Sequence, residues 1–347
     1  MRILFVTAHK HLPELRGGME VNTHELSMRL KSRGAAVGML CGLAGKGLTG
    51  LRARFQIKVL KNSCPKDMTL GYPTWRAWNS VDHVGRIAQA FKPDAIIVQG
   101  GADFIPLITE CLKLELPVFC YLHTQDELVL DQALLENPNL FFIANSLFTQ
   151  SLHLEKKILG VIRPLIRPEF YATETDRSAA IFVNPARHKG LDVVLGIASA
   201  CPDVPFIFVV NRSGAKDSLN REIDLKRYPN IRVIGPFADM RKAYSKAKVI
   251  LAPSQCLETW GRIATEAHFS AIPVLASSRG GLSEAVGSGG ICLPADTPLA
   301  GWVETFRSIW DDTNHYAELC DAARTYARRE EIDPEFIVES FLNLISR

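Results

Sequence analysis

Short apolar runs alternate with amphipathic stretches along the whole chain. The runs fall at residues 3–7, 37–40, 95–98, 118–122 and 141–144, and again at 180–183, 206–210, 232–234, 249–252, 274–276 and 291–293. They are continuous rather than strictly alternating, the pattern of strands covered on both faces in parallel sheets. Between them apolar positions recur with helical spacing. Met19, Leu26 and Leu30 share one stripe, and Gly34 stands where a C-terminal cap belongs. Leu191, Val194, Leu195 and Ala198 form a second stripe; Ile263, Ala264, Ala267 and Ala271 form a third, closed by Ile272-Pro273. The series restarts once, so the pattern predicts an α/β chain of two doubly wound units rather than one long sheet. The break is expected in the non-periodic stretch that holds Pro164 and Pro168.

The weakest pattern lies at 42–80, where Lys46, Arg52, Arg54, Lys58, Lys61 and Lys66 stand against a lone Asp67. Two readings are open: a solvated face, the commoner meaning of such a run, and a docking patch for an anionic acceptor or a lipid surface. Composition changes the picture only slightly. The 347 residues, 47% hydrophobic and 22% charged, suffice for two cores and do not have the profile of a disordered chain. A net charge of +3 gives no general reason to expect nucleic acid. The first apolar run is too short for a signal peptide, and no run approaches the ~18 residues of a membrane span. A cytoplasmic protein without a transmembrane segment is therefore expected, with peripheral contact at the inner membrane face left open. Eight cysteines with no Cys-x-x-Cys pair and no zinc spacing read as reduced core thiols.

The strongest candidate chemistry follows the run at 249–252. Pro253-Ser254-Gln255-Cys256-Leu257-Glu258-Thr259-Trp260-Gly261 leads into a helical pattern that begins Arg262-Ile263-Ala264-Thr265-Glu266. A glycine there admits close backbone approach, and a helix start offers unpaired N–H groups that suit a diphosphate. Glu258 could then accept from sugar hydroxyls and Glu266 from a ribose diol. Taken singly, each glutamate reads equally well as a helix-terminus charge or a surface carboxylate. Taken together, two glutamates with seven residues between them precede Ile272-Pro273-Val274-Leu275-Ala276-Ser277 and then Gly280-Gly281-Leu282-Ser283-Glu284. That succession resembles the signature of retaining GT-B-fold glycosyltransferases, the large family 4-like group that includes sucrose synthase and bacterial mannosyl- and glucosyltransferases.

The resemblance extends over nearly the whole chain. It implies a GT-B architecture: two Rossmann-like doubly wound parallel-sheet domains facing across a cleft that closes on substrate. An acceptor-binding domain would span 1–165 and a nucleotide-sugar donor domain 166–330, with a terminal helix over 331–347 crossing back to the first. Gly17-Gly18, opening a helix after the first strand, resembles the family's glycine loop beside the donor phosphates; alone it is more often a simple turn. His123, after the run at 118–122, holds the position the family places at the reacting centre, and Asn145-Ser146 matches a packing motif. Lys189-Gly190 resembles the lysine that contacts the donor diphosphate. The chain departs from the family at Asn184, where an arginine is usual; Arg187 or Arg212 would have to supply that charge. Phe237 falls where the base packs, and Trp260, Gly261, Arg262, Ile263 and Glu266 complete the implied donor site.

Loss of a diphosphate places negative charge on the leaving phosphate and positive charge on the sugar ring, so preorganised cations and amides lower the barrier. Lys189, Arg187 and the helix starts fit that role with no metal and no cofactor beyond the nucleotide-sugar, and no ligand spacing for a metal occurs. No convincing nucleophile pairs with Glu258 in the manner of a retaining hydrolase, and Asp126 is unproven. The resemblance implies retention by attack from the leaving group's own face, moving a hexose-type sugar from a donor such as a UDP-sugar to a saccharide, lipid-linked or small-molecule hydroxyl. Two rivals stand beside it: a nucleotide-sugar epimerase of the same fold and a non-catalytic nucleotide-sugar-binding protein. A dinucleotide-dependent oxidoreductase lacks the Gly-x-Gly-x-x-Gly turn after the first strand.

Overall fold

The computed structural model describes residues 1–101, 103–125, 128–210, 217, 219, 222–237 and 239–346. Two compact units result. One comprises Met1–Leu165 with Pro334–Arg347, the other Ile166–Asp333.

The first unit is built on an eight-stranded sheet: β1 (Arg2–Lys10), β2 (Ala36–Gly42), β3 (Lys66–Asp67), β4 (Thr74–Ala77), β5 (Ala95–Gln99), β6 (Val118–Leu122), β7 (Leu140–Ala144) and β8 (Ile158–Val161). Their order across the sheet is β3-β4-β2-β1-β5-β6-β7-β8, and every pairing is parallel except β3 with β4. Helices α1 (Gly18–Ser32), α2 (Gly47–Val59), α3 (Val84–Phe91), α4 (Phe104–Leu112), α5 (Gln132–Leu135) and α6 (Leu147–Ser151) connect the strands. The continuous apolar runs have their cause here: β5 and β6 are buried at every residue, because a core lies on each face of the sheet. The helix Pro334–Ile345 belongs to one of those cores, inserting Ile337, Val338, Phe341 and Ile345, and its Phe341 ring stacks on Phe5 at 6.3 Å. Each such fully buried side chain contributes about 1.5–3 kcal/mol.

The second unit carries β9 (Ala179–Val183), β10 (Phe206–Val209), β11 (Ile231–Ile234), β12 (Ala247–Ala252), β13 (Val274–Ser277) and β14 (Gly290–Leu293) in the order β11-β10-β9-β12-β13-β14, all parallel. Helix α7 (Leu191–Ala200) and the helices Leu299–Asp311 and Thr313–Tyr326 cover one face; Arg262–His268 and Leu282–Val286 cover the other. Both sheets reverse direction beside their first strand, between β1 and β5 and between β9 and β12. In doubly wound sheets the crevice beyond the strand ends at that point is where ligands bind.

All eleven apolar runs form strands, and Gly34 follows α1 with a φ of 85°, as a C-terminal cap requires. The pattern missed β3, β4 and β8. It also overextended one helix: Arg262–His268 stops before Ala271, which has a φ of 51°. Segment 42–80 is more than a solvated face, since it contains β4 and the buried Arg76. All eight cysteines are free and six are buried, which pushes the Cys41 thiol up to about 12. No helix among the described residues is long and apolar enough to cross a membrane.

Candidate functional site

In the second unit two neighbouring strands end at the sheet's reversal point, and their loops are laced together. After β9 the chain makes a short turn, Arg187–Lys189, and reaches Gly190 at a φ of 87°. A Cβ on Gly190 would collide with the Pro253 carbonyl, which follows β12. Only glycine lets the two loops come this close. The His188 carbonyl then accepts from the Gln255 and Cys256 amides at 2.9 and 3.1 Å. This lacing sets Lys189 against Glu258, and the two form an ion pair, part-buried on both sides. Ser254 Oγ donates to the same carboxylate oxygen at 2.8 Å. The backbone of Glu258 is fixed as well: its carbonyl accepts from Gly281 N at 2.7 Å, and the residue bridges to Gly280. Gly281 is cramped against the Thr259 carbonyl, so the Gly-Gly pair serves Glu258 through close packing.

Gly261, at a φ of 94°, begins the helix Arg262–His268. Glu266, on this helix, is partly buried; Tyr244 Oη donates to its Oε2 at 2.7 Å and Arg262 Nε stands 3.6 Å from Oε1. Burial, followed by the Glu266 charge, pushes the Tyr244 hydroxyl well above its usual range, so it remains a donor. The Trp260 indole is buried in the core and donates to Thr265 Oγ1 at 3.1 Å; this residue can offer a ligand backbone only. Ile263 and Phe237 are partly buried against the same core. Arg187 is exposed and paired to Asp192 at 2.9 Å and to Glu222 at 2.8 Å. Asn184 has a φ of 56°, a conformation Asn tolerates better than most residues. Arg212 lies outside the described residues, as does Asp126.

The first unit presents a neutral network at the same edge of its own sheet. His123 follows β6. Asn145, after β7, faces its Nδ1 at 3.2 Å, and Gln99, ending β5, faces its Nε2 at 3.4 Å. Each amide can turn to donate or accept, so the ring is held at both nitrogens in either neutral tautomer. The amides are held in turn, Gln99 by Thr23 Oγ1 and Asn145 by Thr149 Oγ1, both at 2.7 Å. Thr149 belongs to α6, which Ser146 caps by accepting from the Thr149 amide at 3.0 Å. Gly17 precedes α1 in extended conformation, and Glu20 folds back so that its Oε2 occupies the space a Cβ on Gly17 would need. A carboxylate thus stands at this helix start beside Gly18, with the His9 ring 3.6 Å away. Among the described residues no group of three or more His, Cys, Asp or Glu side chains is placed to hold a metal ion.

Residues 188–312, just over a third of the chain, match the family model described as Glycosyl transferases group 1. Lys189 and the whole laced loop lie within that stretch. Among solved structures, the Anabaena protein HepE in complex with UDP and glucose is similar over 99% of both chains, at 19% identity and a TM-score of 0.74. Sucrose-phosphate synthase from Thermosynechococcus elongatus is similar over 99% of this chain and 98% of its own, at 15% identity and a TM-score of 0.77. A glycosyltransferase from Rickettsia africae covers 99% and 97%, at 16% identity and a TM-score of 0.75. No curated protein matches by sequence. At these identities the structural likeness speaks for the fold: two parallel-sheet α/β domains of GT-B type. It is the matched segment that supports glycosyl transfer as the activity.

Proposed function

We propose that the chain is a retaining, metal-independent glycosyltransferase that moves a hexose-type sugar from a nucleotide diphosphate donor to a hydroxyl acceptor. The Lys189–Glu258 pair carries the reading, because it puts a cation and a carboxylate side by side at the reversal point of a doubly wound sheet. A donor would divide that pair. Lys189 turns to the diphosphate and meets the charge that grows as the anomeric bond breaks. Glu258, still held by Ser254, accepts from hydroxyls of the sugar. Glu266 takes the ribose diol, with Tyr244 donating to one of its oxygens and Arg262 facing the other. Phe237 and the backbone at Trp260, Gly261, Arg262 and Ile263 are assigned to the rest of the donor. Uridine is favoured as the base, since HepE is a UDP complex.

His123 is assigned the acceptor side of the reaction, its ring oriented by Gln99 and Asn145. The acceptor hydroxyl attacks from the face the diphosphate leaves, and a diphosphate oxygen takes its proton, so no protein nucleophile is needed. Gly17-Gly18 serves a phosphate only if Glu20 swings away from the α1 start. Two measurements test the proposal. Saturating UDP should stabilise the protein by about 2.7 kcal/mol at a hundred times its Kd, more than adenosine or guanosine diphosphate does. NMR of the sugar released slowly from UDP-α-glucose should show the α anomer first. Release of the β anomer first would overturn retention, and no stabilisation by any nucleoside diphosphate would overturn the whole reading.

A further inference from the structure

Helix α2 turns apolar side chains outward. Leu48, Leu51, Phe55 and Val59 are 77%, 56%, 58% and 58% exposed, and Leu60, just past the helix, is 63% exposed. At ~100° per residue the four helical positions fall within an arc of about 80°. The buried positions, Gly50 and Ala53, lie on the opposite side, where small residues let the helix sit close to the unit. Arg52 and Lys58 flank the ridge, and Lys46, Arg54, Lys61 and Lys66 extend the positive charge around it. No acidic residue occurs from Gly42 to Lys66. Trp78 is 59% exposed, and a Cβ on Gly45 would lie 2.9 Å from its ring, which places the indole beside the start of the helix. A surface helix kept for water does the reverse, turning charge outward and its apolar stripe inward. Beside the ridge, a cavity of about 200 Å³ is lined by Thr49, Arg52, Gln56, Lys66, Thr69 and Asp67 among others, and Asp67 is already engaged by the buried Arg76 at 2.8 Å.

We infer that α2 is a membrane-docking helix, which lies in the interfacial plane of a bilayer rich in anionic lipid. Leu48, Leu51, Phe55 and Val59 enter the acyl boundary, while Arg52 and Lys58 stay at the phosphates and Trp78 anchors one end at headgroup depth. The rim from Gly42 to Lys66 is all positive, and the adjoining Asp67 is neutralised by Arg76, which selects an anionic lipid surface over a protein seam carrying charges of both signs. The inference is independent of the sugar-transfer reading, and its test needs no donor or acceptor. Flotation of the full chain with vesicles of phosphatidylcholine alone, or mixed with phosphatidylglycerol, reads it directly. Binding to the mixed vesicles should be at least tenfold stronger, and salt should weaken it. Leu51→Ser with Phe55→Ser, and separately Arg52→Glu with Lys58→Glu, should each lower that binding at least tenfold. All four side chains point to solvent, so thermal melts of both variants should match wild type. Equal binding by wild type and variants overturns the inference, as does no binding to anionic vesicles. Self-association that Leu51→Ser with Phe55→Ser abolishes, without vesicle binding, overturns it in favour of a second copy on the ridge.

Discussion

The two units share a strand order at their centre, yet they equip the same edge of the sheet in opposite ways. The first gathers neutral groups around His123: two amides, each held by a threonine hydroxyl. The second gathers charges, Lys189 with Glu258 and Arg262 with Glu266, on loops pressed together at Gly190. A network of neutral, mutually bonded groups is complete without a ligand and serves to hold a ring in place. A part-buried ion pair is different: each partner is also the natural contact of an ionic or hydroxyl-rich ligand. On the proposed reading, the difference divides the labour into orientation in one unit and charge compensation in the other.

The largest effect should come from the backbone contact that makes the charged site possible. Gly190→Ala would put a Cβ into the Pro253 carbonyl at a φ of 87°, so the two loops must separate. Strain of ~1–3 kcal/mol is expected from the dihedral alone. Urea unfolding should show the second unit destabilised by at least that much, with transfer activity lost. Gly100→Ala, at the end of β5 in the first unit, meets nothing within 4 Å and should cost no more than about 0.5 kcal/mol. Similar costs at both positions would break the contrast between a cramped charged edge and an open neutral one.

Next comes the charge itself. Glu258→Gln keeps the shape and removes the carboxylate, and Lys189→Met removes the cation. Each should lower transfer by about 10²–10³, the loss typical of one preorganised electrostatic group. Stability should move by less than about 1 kcal/mol, because the pair is part-exposed and screened. Asn145→Ala, which frees one side of His123, should cost about tenfold, as a positioning loss. Steady-state kinetics with a UDP-sugar donor orders the three. A larger loss from Asn145→Ala than from Glu258→Gln would reverse the division of labour.

What the sequence shows of this arrangement depends on whether a feature is local. Strands buried on both faces leave continuous apolar runs, and the run at 118–122 brings His123 to a strand end by position alone. Lys189 and Glu258 stand out separately for the same reason, each in a loop after a strand. Their pairing across 69 positions is invisible, because it arises from the contact of Gly190 with Pro253 and from the His188 carbonyl, neither of which has a periodicity. Of the holders of His123, Asn145 stands out in the Asn145-Ser146 motif, but Gln99 only follows a strand run and Thr23 reads as one more helix residue. Strand β4 was missed because Arg76 interrupts its apolar pattern. That side chain is buried against Asp67 at 2.8 Å and Glu14 at 3.6 Å, a compensation written 9 and 62 residues away.

A smaller effect separates the units by pH less than their sites suggest. His11 in the first unit is held down at about 3 by burial, then by the charges of Arg76 and His24. His268 in the second is held down at about 3 by burial, then by Arg329, although its hydrogen bond to the Gly289 carbonyl opposes this. Both are neutral when folded and take a proton near 6.5 when unfolded. Their contribution is complete above that pH and is lost as pH falls from about 6.5 towards 3, by ~1.4 kcal/mol per pH unit for each histidine. Hydrogen exchange followed segment by segment should show the loss in both units. His268→Gln should flatten it in the second alone; if the first flattens too, the units do not unfold separately.

The smallest expected effect decides which cation would serve the diphosphate of the proposed donor. Arg187 is the more exposed of the two, with 60% of its side chain in water, and it already has two carboxylate partners on the surface, Asp192 and Glu222. Lys189 is part-buried and set against Glu258 by backbone contacts on both sides. Removing an exposed, screened pair costs about 0–1 kcal/mol. Arg187→Ala should therefore change the melting temperature little and lower transfer less than tenfold, while Lys189→Met lowers it a hundredfold or more. Asn184 gives the comparison a further edge. An arginine is usual at that position in the family this chain resembles, so Asn184→Arg should strengthen UDP binding if the charge is missing. If Arg187 already supplies it, Asn184→Arg should be neutral and Arg187→Ala severe. Titration of the three variants with UDP separates these outcomes: a loss confined to Lys189→Met keeps charge compensation in the laced loop, and a loss centred on Arg187→Ala moves it to the surface turn.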